Sequence, residues 1–288
     1  MEESFDTSTQ SAARPPEKQA LHDFWNDASC GEALLLESPD VEGYRRQASE
    51  RYRLEPYIPG FARFEQTSGK DVLEIGVGLG ADHQGFAAAG ARLTGVDLTS
   101  RAIEHTRERL RLFGLQSSLA VGDAENLVFP DNSFDMVYSW GVIHHSPDTP
   151  RAAREILRVL RPGGRFAVMI YQRYSLIGAM LWLRYALGTG RPWMSLDTIY
   201  SRYLESPGTK AYTKAQAAAL FAGASDLRIW SVLTHGDLLE SGAGQRHSGM
   251  ALGLARKLWP RRLLKRMFPN AGLFLMIEGH KPLATAST

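Results

Sequence analysis

Asp71-Val72-Leu73-Glu74-Ile75-Gly76-Val77-Gly78-Leu79-Gly80 runs five residues of strand character into three alternating glycines. The apolar residues form a short buried strand, and the glycines let the backbone turn tightly and approach a ligand closely. A helix follows over about 82–89, with Asp82 as its N-cap and Gly90 as a left-handed stop. Strand, glycine turn and helix in that order open a βαβ unit. The spacing is G-x-G-x-G, one residue short of the G-x-G-x-x-G that seats a pyrophosphate on a helix N-terminus. Glu74, two residues ahead of the first glycine, would repel a pyrophosphate but suits a cationic ammonium or sulfonium. A tight turn with no ligand is the plainer alternative.

The pattern continues downstream. Residues 92–97, 118–122, 134–139 and 166–171 read as further strands. Helices fall between them, over 100–113 with a capping Ser100, and over 149–160 with Arg158 and Arg161 at the end a helix dipole favours. Arg161-Pro162-Gly163-Gly164 is a turn. Strands alternating with helices give a parallel sheet. Beyond Tyr171 the regularity lapses over 172–212. A helix near 213–222 and strands over 227–235 and 273–279 complete the count. Upstream, residues 1–19 read as disordered from their Ser, Thr, Glu and Pro content, and 20–66 as a helical cap rich in aromatics. Residues 67–288 form one domain, with insertions at about 172–212 and 236–271.

Three further places carry chemistry. Asp97 ends the second strand 17 residues past Gly80, where a carboxylate can accept hydrogen bonds from both ribose hydroxyls. Gly122-Asp123-Ala124-Glu125 follows the third strand. There an Asp can accept from an adenine amino group while the next backbone N–H reaches a ring nitrogen. Taken singly, Asp97 is a turn residue and Asp123 a solvated loop. The run 134–145 leaves the C-terminal end of the fourth strand, the side of the sheet where open α/β folds bind ligands.

DVLEIGVGLG, LTGVDLT, GDAENLVFPDNSFDMVYSWGVIHHSPD and EILRVLRPGGRFAVMIY together make the stretch from about 70 to 171 resemble the class I S-adenosylmethionine-dependent methyltransferases. Within them it resembles the small-molecule, type-11 branch that includes quinone-pathway enzymes. The resemblance implies an α/β, Rossmann-like, seven-stranded sheet of order 3-2-1-4-5-7-6 with the last strand antiparallel. It implies methyl transfer from S-adenosyl-L-methionine to a small-molecule acceptor. By the same resemblance Glu74, Gly76, Gly78 and Gly80 hold the methionine part of the cofactor, and Asp97 with Leu98 the ribose. Asp123, Ala124 and Glu125 line the adenine, and Ser139 offers its backbone carbonyl to the ammonium. His22-Asp23-Phe24-Trp25-Asn26 resembles an N-terminal element that folds over the cofactor, which brings Trp25 to the site. Val77 stands where many relatives carry Cys.

A sulfonium methyl is already activated, so the protein need only align the acceptor, and positioning contributes roughly 7–11 kcal/mol when the geometry is good. A base is required only for a protonated, weakly acidic acceptor. His144 and His145, beyond the fourth strand, are the candidates, and Tyr171 faces the same cleft after the fifth. A loop-capping role is the alternative for either histidine. Carbon, oxygen, nitrogen and sulfur acceptors all stay open. His235 and Asp237 read as turn residues.

Lys plus Arg is 33 and Asp plus Glu 31, a net charge of +2 that leaves no electrostatic footprint for nucleic acid. Cys30 is the only cysteine. An internal disulfide is excluded, no metal site is expected, and the reducing cytoplasm is the expected compartment. No apolar run reaches the ~18 residues of a membrane span. The segment 256–266 reads as a solvated basic helix face interrupted by Pro260. Peripheral contact with an anionic membrane or an acidic partner is its alternative. A nicotinamide-dependent oxidoreductase and a non-catalytic S-adenosylmethionine-binding partner or regulator are the competing functional readings.

Overall fold

Apolar residues alternate to both faces of the central strands, so this sheet must be covered on both sides. In the computed structural model, which describes residues 14–240, 257 and 259–283, it is. Strands β1 (Asp71–Ile75), β2 (Arg92–Asp97), β3 (Ser118–Val121), β4 (Phe134–Trp140), β5 (Leu160–Tyr171), β6 (Ser225–Val232) and β7 (Phe274–His280) form one sheet of order β3-β2-β1-β4-β5-β7-β6. β1 to β5 run parallel, and β7 is antiparallel to both its neighbours. This is the order and the sense expected from the sequence.

Leu73, Val137, Val168 and Ile277 pack to one face, against Ala152 and Ile156 of helix α7 (Thr149–Val159). Val72, Met136, Ala167 and Met276 pack to the other, against Phe61 of α4 (Ile58–Ala62) and Phe86 of α5 (Ala81–Ala88). The remaining helices are α1 (Pro16–Asp27), α2 (Glu32–Leu35), α3 (Val41–Leu54), α6 (Ser100–Leu112), α8 (Leu176–Tyr185), α9 (Leu196–Tyr203) and α10 (Lys214–Leu220), with a further helix over Arg261–Met267.

Several local expectations are corrected. Helix α1 starts at Pro16, inside the segment read as disordered. Proline presets the first helical turn, Glu17 suits its dipole, and Lys18 is anchored by two carboxylates described below. Residues 1–13 lie outside the described residues, as do Arg256 and Leu258 of the basic segment. Gly80, at φ +75°, caps α5. Asp82 is not the cap but a buried first-turn residue, held by Arg51 through two hydrogen bonds of 3.1 and 2.7 Å and by the Tyr52 and Tyr138 hydroxyls. Thr99, not Ser100, caps α6 by accepting from Ala102 N. The stretch 161–164 belongs to β5, with a shift of register against β4 between Phe134 and Met136.

Arg109 of α6 fastens the cap to the sheet domain. It is fully buried and donates to Gln47 Oε1, Tyr44 O, Leu79 O and Gln84 Oε1. Asp237, also fully buried, fastens the two late insertions. It accepts from Ile177 N in the first turn of α8, from Thr234 N and Oγ1, and from Leu273 N just ahead of β7. Asp237 is therefore a hub inside the fold, and the sequence reading of a plain turn understated it.

Candidate functional site

The C-terminal ends of β1, β2 and β4 open into one cleft. Its floor is the glycine turn with Asp97, Leu98, Asp123 and Ala124, and its far wall is Trp140, Gly141 and Val142. Lys18, Leu21 and Trp25 of α1 roof it, and Arg51, Glu55, Tyr171, Glu205 and Phe274 close the other end. About 1350 Å³ of open space lies between these residues, solvent at the mouth included.

The glycines differ in purpose. A Cβ at Gly76, φ +83°, would strike Val142 Cγ2 at 2.1 Å, so that glycine serves packing. A Cβ at Gly78, φ +51°, would meet nothing within 4 Å. Gly78 thus presents bare backbone to open cleft, which is how a loop cradles a ligand. The cradle is tied to the ribose-reading candidate: Gly78 N donates to Asp97 Oδ2 at 3.2 Å, while Thr99 N and Oγ1 donate to Oδ1 at 3.0 and 2.9 Å. Enclosure raises the Asp97 carboxyl, and these donors work against the rise.

Glu74 is not a bare carboxylate. Its Oε2 lies 2.7 Å from His83 Nδ1, and His83 Nε2 lies 2.7 Å from Ser117 Oγ. The Ser117 hydroxyl donates to Leu93 O, so it accepts from Nε2–H and leaves Nδ1 as the acceptor. Burial pushes Glu74 well up and His83 down to about 3, so one proton lies between two neutral groups. A cation arriving beside Glu74 would draw that carboxyl toward ionisation.

Asp123 lines the cleft with both oxygens engaged: Lys18 Nζ donates to Oδ2 at 2.6 Å and Glu125 N to Oδ1 at 2.9 Å. Lys18 also reaches Glu125 Oε2 at 2.5 Å. Burial opposes the Lys18 charge, but the two carboxylates outweigh it and hold its pKa above the usual value. Glu125 itself does not line the cleft. Its other oxygen takes Ser146 Oγ and Asp148 N, which makes it a structural tie and corrects the adenine assignment. Ser139 is fully buried in β4 with Oγ donating to Ile75 O, and its neighbours Trp140 and Gly141 stand on the wall.

The histidine pair separates. His145 faces the cleft, edge-on to Trp25 at 5.5 Å between ring centres. Its Nδ1 lies 2.8 Å from Ser206 Oγ and its Nε2 3.5 Å from Glu205 Oε2. Burial holds it neutral, down to about 3. His144 does not line the cleft; it is fully buried behind it, with neither ring nitrogen hydrogen-bonded, its ring 4.0 Å from that of Tyr171. Tyr171 does face the cleft, and its hydroxyl donates to Glu205 Oε2 at 2.6 Å. Lys18, Glu55 and Glu205 are the site groups that sequence reading missed. Lys18 sat in a stretch read as disordered, and Glu205 in one with no periodicity.

Glu55, at the end of α3, pairs with Arg51 at 3.3 Å. Burial pushes its carboxyl from 4.5 up to about 7 despite that partner. The folded chain therefore holds an extra proton, and its stability falls as pH rises from about 4.5 to about 7. Glu55→Gln removes this loss. Calorimetric melts should show the variant gaining on the parent above pH 7, by at most about 3 kcal/mol, and matching it near pH 4. Parallel pH profiles would contradict the enclosure of this carboxyl.

Residues 73–168 match the family model described as "Methyltransferase domain". The chain is 43% identical over 102 residues to a phthiotriol/phenolphthiotriol dimycocerosates methyltransferase of Mycobacterium leprae, covering 35% of this chain and 37% of that one. It is 32% identical over 142 residues to a demethylmenaquinone methyltransferase of Tropheryma whipplei, covering 48% and 58%. The chain thus spans about 37% to 58% of the length of these two curated relatives. Among solved structures, a Haemonchus contortus phospholethanolamine N-methyltransferase, in complex with phosphomonomethylethanolamine and S-adenosylhomocysteine, superposes with a TM-score of 0.59 at 19% identity. It covers 91% of this chain and 60% of that one, and at that identity the likeness speaks for the fold alone.

Proposed function

We propose that this chain, whose residues 73–168 match the methyltransferase-domain model, binds S-adenosylmethionine in the cleft and passes its methyl group to a small-molecule acceptor. The observation that carries this reading is the open backbone at Gly78, hydrogen-bonded to the Asp97 carboxylate at the end of the neighbouring strand. When bound there, the cofactor supplies a sulfonium methyl open to direct in-line displacement.

The chain's own residues would do the rest. Gly76, Gly78 and Gly80 with Glu74 hold the methionine part, Asp97 and Leu98 the ribose, and Asp123 with Ala124 the adenine. Trp25 and Leu21 roof the cleft against water, which strengthens every polar contact beneath them. The acceptor occupies the end bounded by His145, Tyr171, Glu205 and Trp140. A small-molecule acceptor agrees with what the relatives are named for, and a net charge of +2 gives no reason to invoke nucleic acid.

Calorimetry with S-adenosylmethionine and with NAD tests the first half. Binding of the former alone is expected, and a cleft that takes neither, or takes NAD, overturns it. A panel of quinols, phenols, amines and thiols, with S-adenosylhomocysteine release as the readout, tests the second half. Donor binding with no turnover across the panel would favour the non-catalytic reading.

A further inference from the structure

The two late insertions share an unusual composition. Residues 172–212 and 236–271 carry twelve lysines and arginines against four aspartates and glutamates, in a chain whose net charge is only +2. They are also where the apolar surface is. Of the eleven exposed large apolar side chains among the described residues, seven lie in these two segments. Tyr174, Leu183, Leu187 and Trp193 come from the first, and Trp193 is 79% exposed. Leu263, Met267 and Phe268 come from the second.

Both segments leave the same rim of the fold. Leu176 N at the start of α8 donates to Ala271 O, and Gln172 Nε2 donates to Asn270 O and Gly272 O. The Asp237 loop receives Ile177 N from one side and, on its carbonyl, Trp259 Nε1 from the other. The same rim borders the cleft, since Tyr171 and Glu205 flank the first insertion's helices and Phe274 follows the second. Arg191, Arg262 and Arg266 are exposed on it and make no ion pair among the described residues.

We propose that these two insertions form a docking surface for an anionic lipid membrane, through Trp193, Leu187, Leu263, Phe268 and the arginines between them. Exposed tryptophan and aliphatic side chains mixed with arginine, in segments where basic residues outnumber acidic ones three to one, match the acyl–headgroup boundary of a bilayer carrying negative charge. An acidic protein would be met by the charge, but it would not use scattered, protruding aromatic and aliphatic tips. The contact is peripheral, for no described helix is long and apolar enough to cross a membrane. Docked in this way, the cleft mouth lies beside the bilayer and receives acceptors that partition into it.

Co-sedimentation of the full chain with vesicles tests this without donor or acceptor, so it stands or falls apart from the methyl-transfer reading. Vesicles of phosphatidylcholine with an equal share of phosphatidylglycerol should bind the chain, and phosphatidylcholine alone should bind at least about tenfold less. Binding should weaken as salt rises. Arg262→Glu with Arg266→Glu, and separately Trp193→Ser, should each cut binding about tenfold or more. These side chains are exposed, so unchanged circular dichroism is expected as the folding check. Absence of binding to the anionic vesicles, or equal binding by the variants, overturns the proposal. So does a dimer in sedimentation equilibrium that Trp193→Ser converts to monomer, because a second copy would then be what covers the patch.

Discussion

Asp97→Ala is expected to weaken S-adenosylmethionine binding by about tenfold or more, and to lower the melting temperature as three protein donors lose their acceptor. Asp97 sits at the end of β2 and accepts from Gly78 N, from Thr99 N and from Thr99 Oγ1. Its carboxylate fixes the glycine cradle, and in the proposed reading it also accepts from the ribose. A hydrogen bond to a charged group contributes about 1.5–3 kcal/mol, and each 1.4 kcal/mol is a factor of ten in affinity. Losing one such bond to the ligand already gives the stated effect, and loosening the cradle adds to it. Asp97→Asn keeps one carbonyl oxygen and should lie between parent and alanine variant. Gly78→Val acts from the other side: its side chain enters space the protein leaves open, while its backbone at φ +51° is strained for a β-branched residue, so it should block the donor and also lower the melting temperature. Titration calorimetry beside a thermal melt reads both. Folded variants with the parent's affinity would place the donor elsewhere.

The sheet and the floor of the cleft were legible because local sequence dictates them. Alternation of apolar residues, three glycines and an acid at the end of β2 are all short-range signals, and the order β3-β2-β1-β4-β5-β7-β6 followed once their family likeness was recognised. What escaped depends on partners far away in the chain. Lys18 is a helical residue because Asp123 and Glu125, more than a hundred residues on, hold it. The same contact takes Glu125 away from the cleft, which no reading of Gly122-Asp123-Ala124-Glu125 could reveal. Asp82 looked like a cap because caps are local, but Arg51 of α3 and Tyr138 of β4 recruit it into the interior. Glu205 reaches Tyr171 and His145 only because Asp237 and the α8–α9 pair fold the first insertion back over the rim.

That folding back separates the two adjacent histidines, and the separation can be measured. His145→Ala is expected to lower kcat by about a hundredfold or more for an acceptor that must lose a proton, with donor affinity within about threefold of the parent. His145 faces the cleft with Glu205 Oε2 3.5 Å from its Nε2, so an imidazolium formed during turnover has a carboxylate beside it. Burial holds the resting imidazole neutral, down to about 3. A base that weak suffices for a hydroxyl or phenol acceptor, whose proton becomes strongly acidic as the oxygen lone pair is spent on the methyl group. The rate should therefore show no rising limb near pH 6.5, where an ordinary histidine titrates. His144→Phe should behave differently. That ring lies behind the cleft with no hydrogen bond at either nitrogen, so the substitution removes no polar contact and should leave kcat within a few fold. Equal losses from the two variants, or none from His145→Ala with a phenol acceptor, would move the proton's destination to another group on the wall.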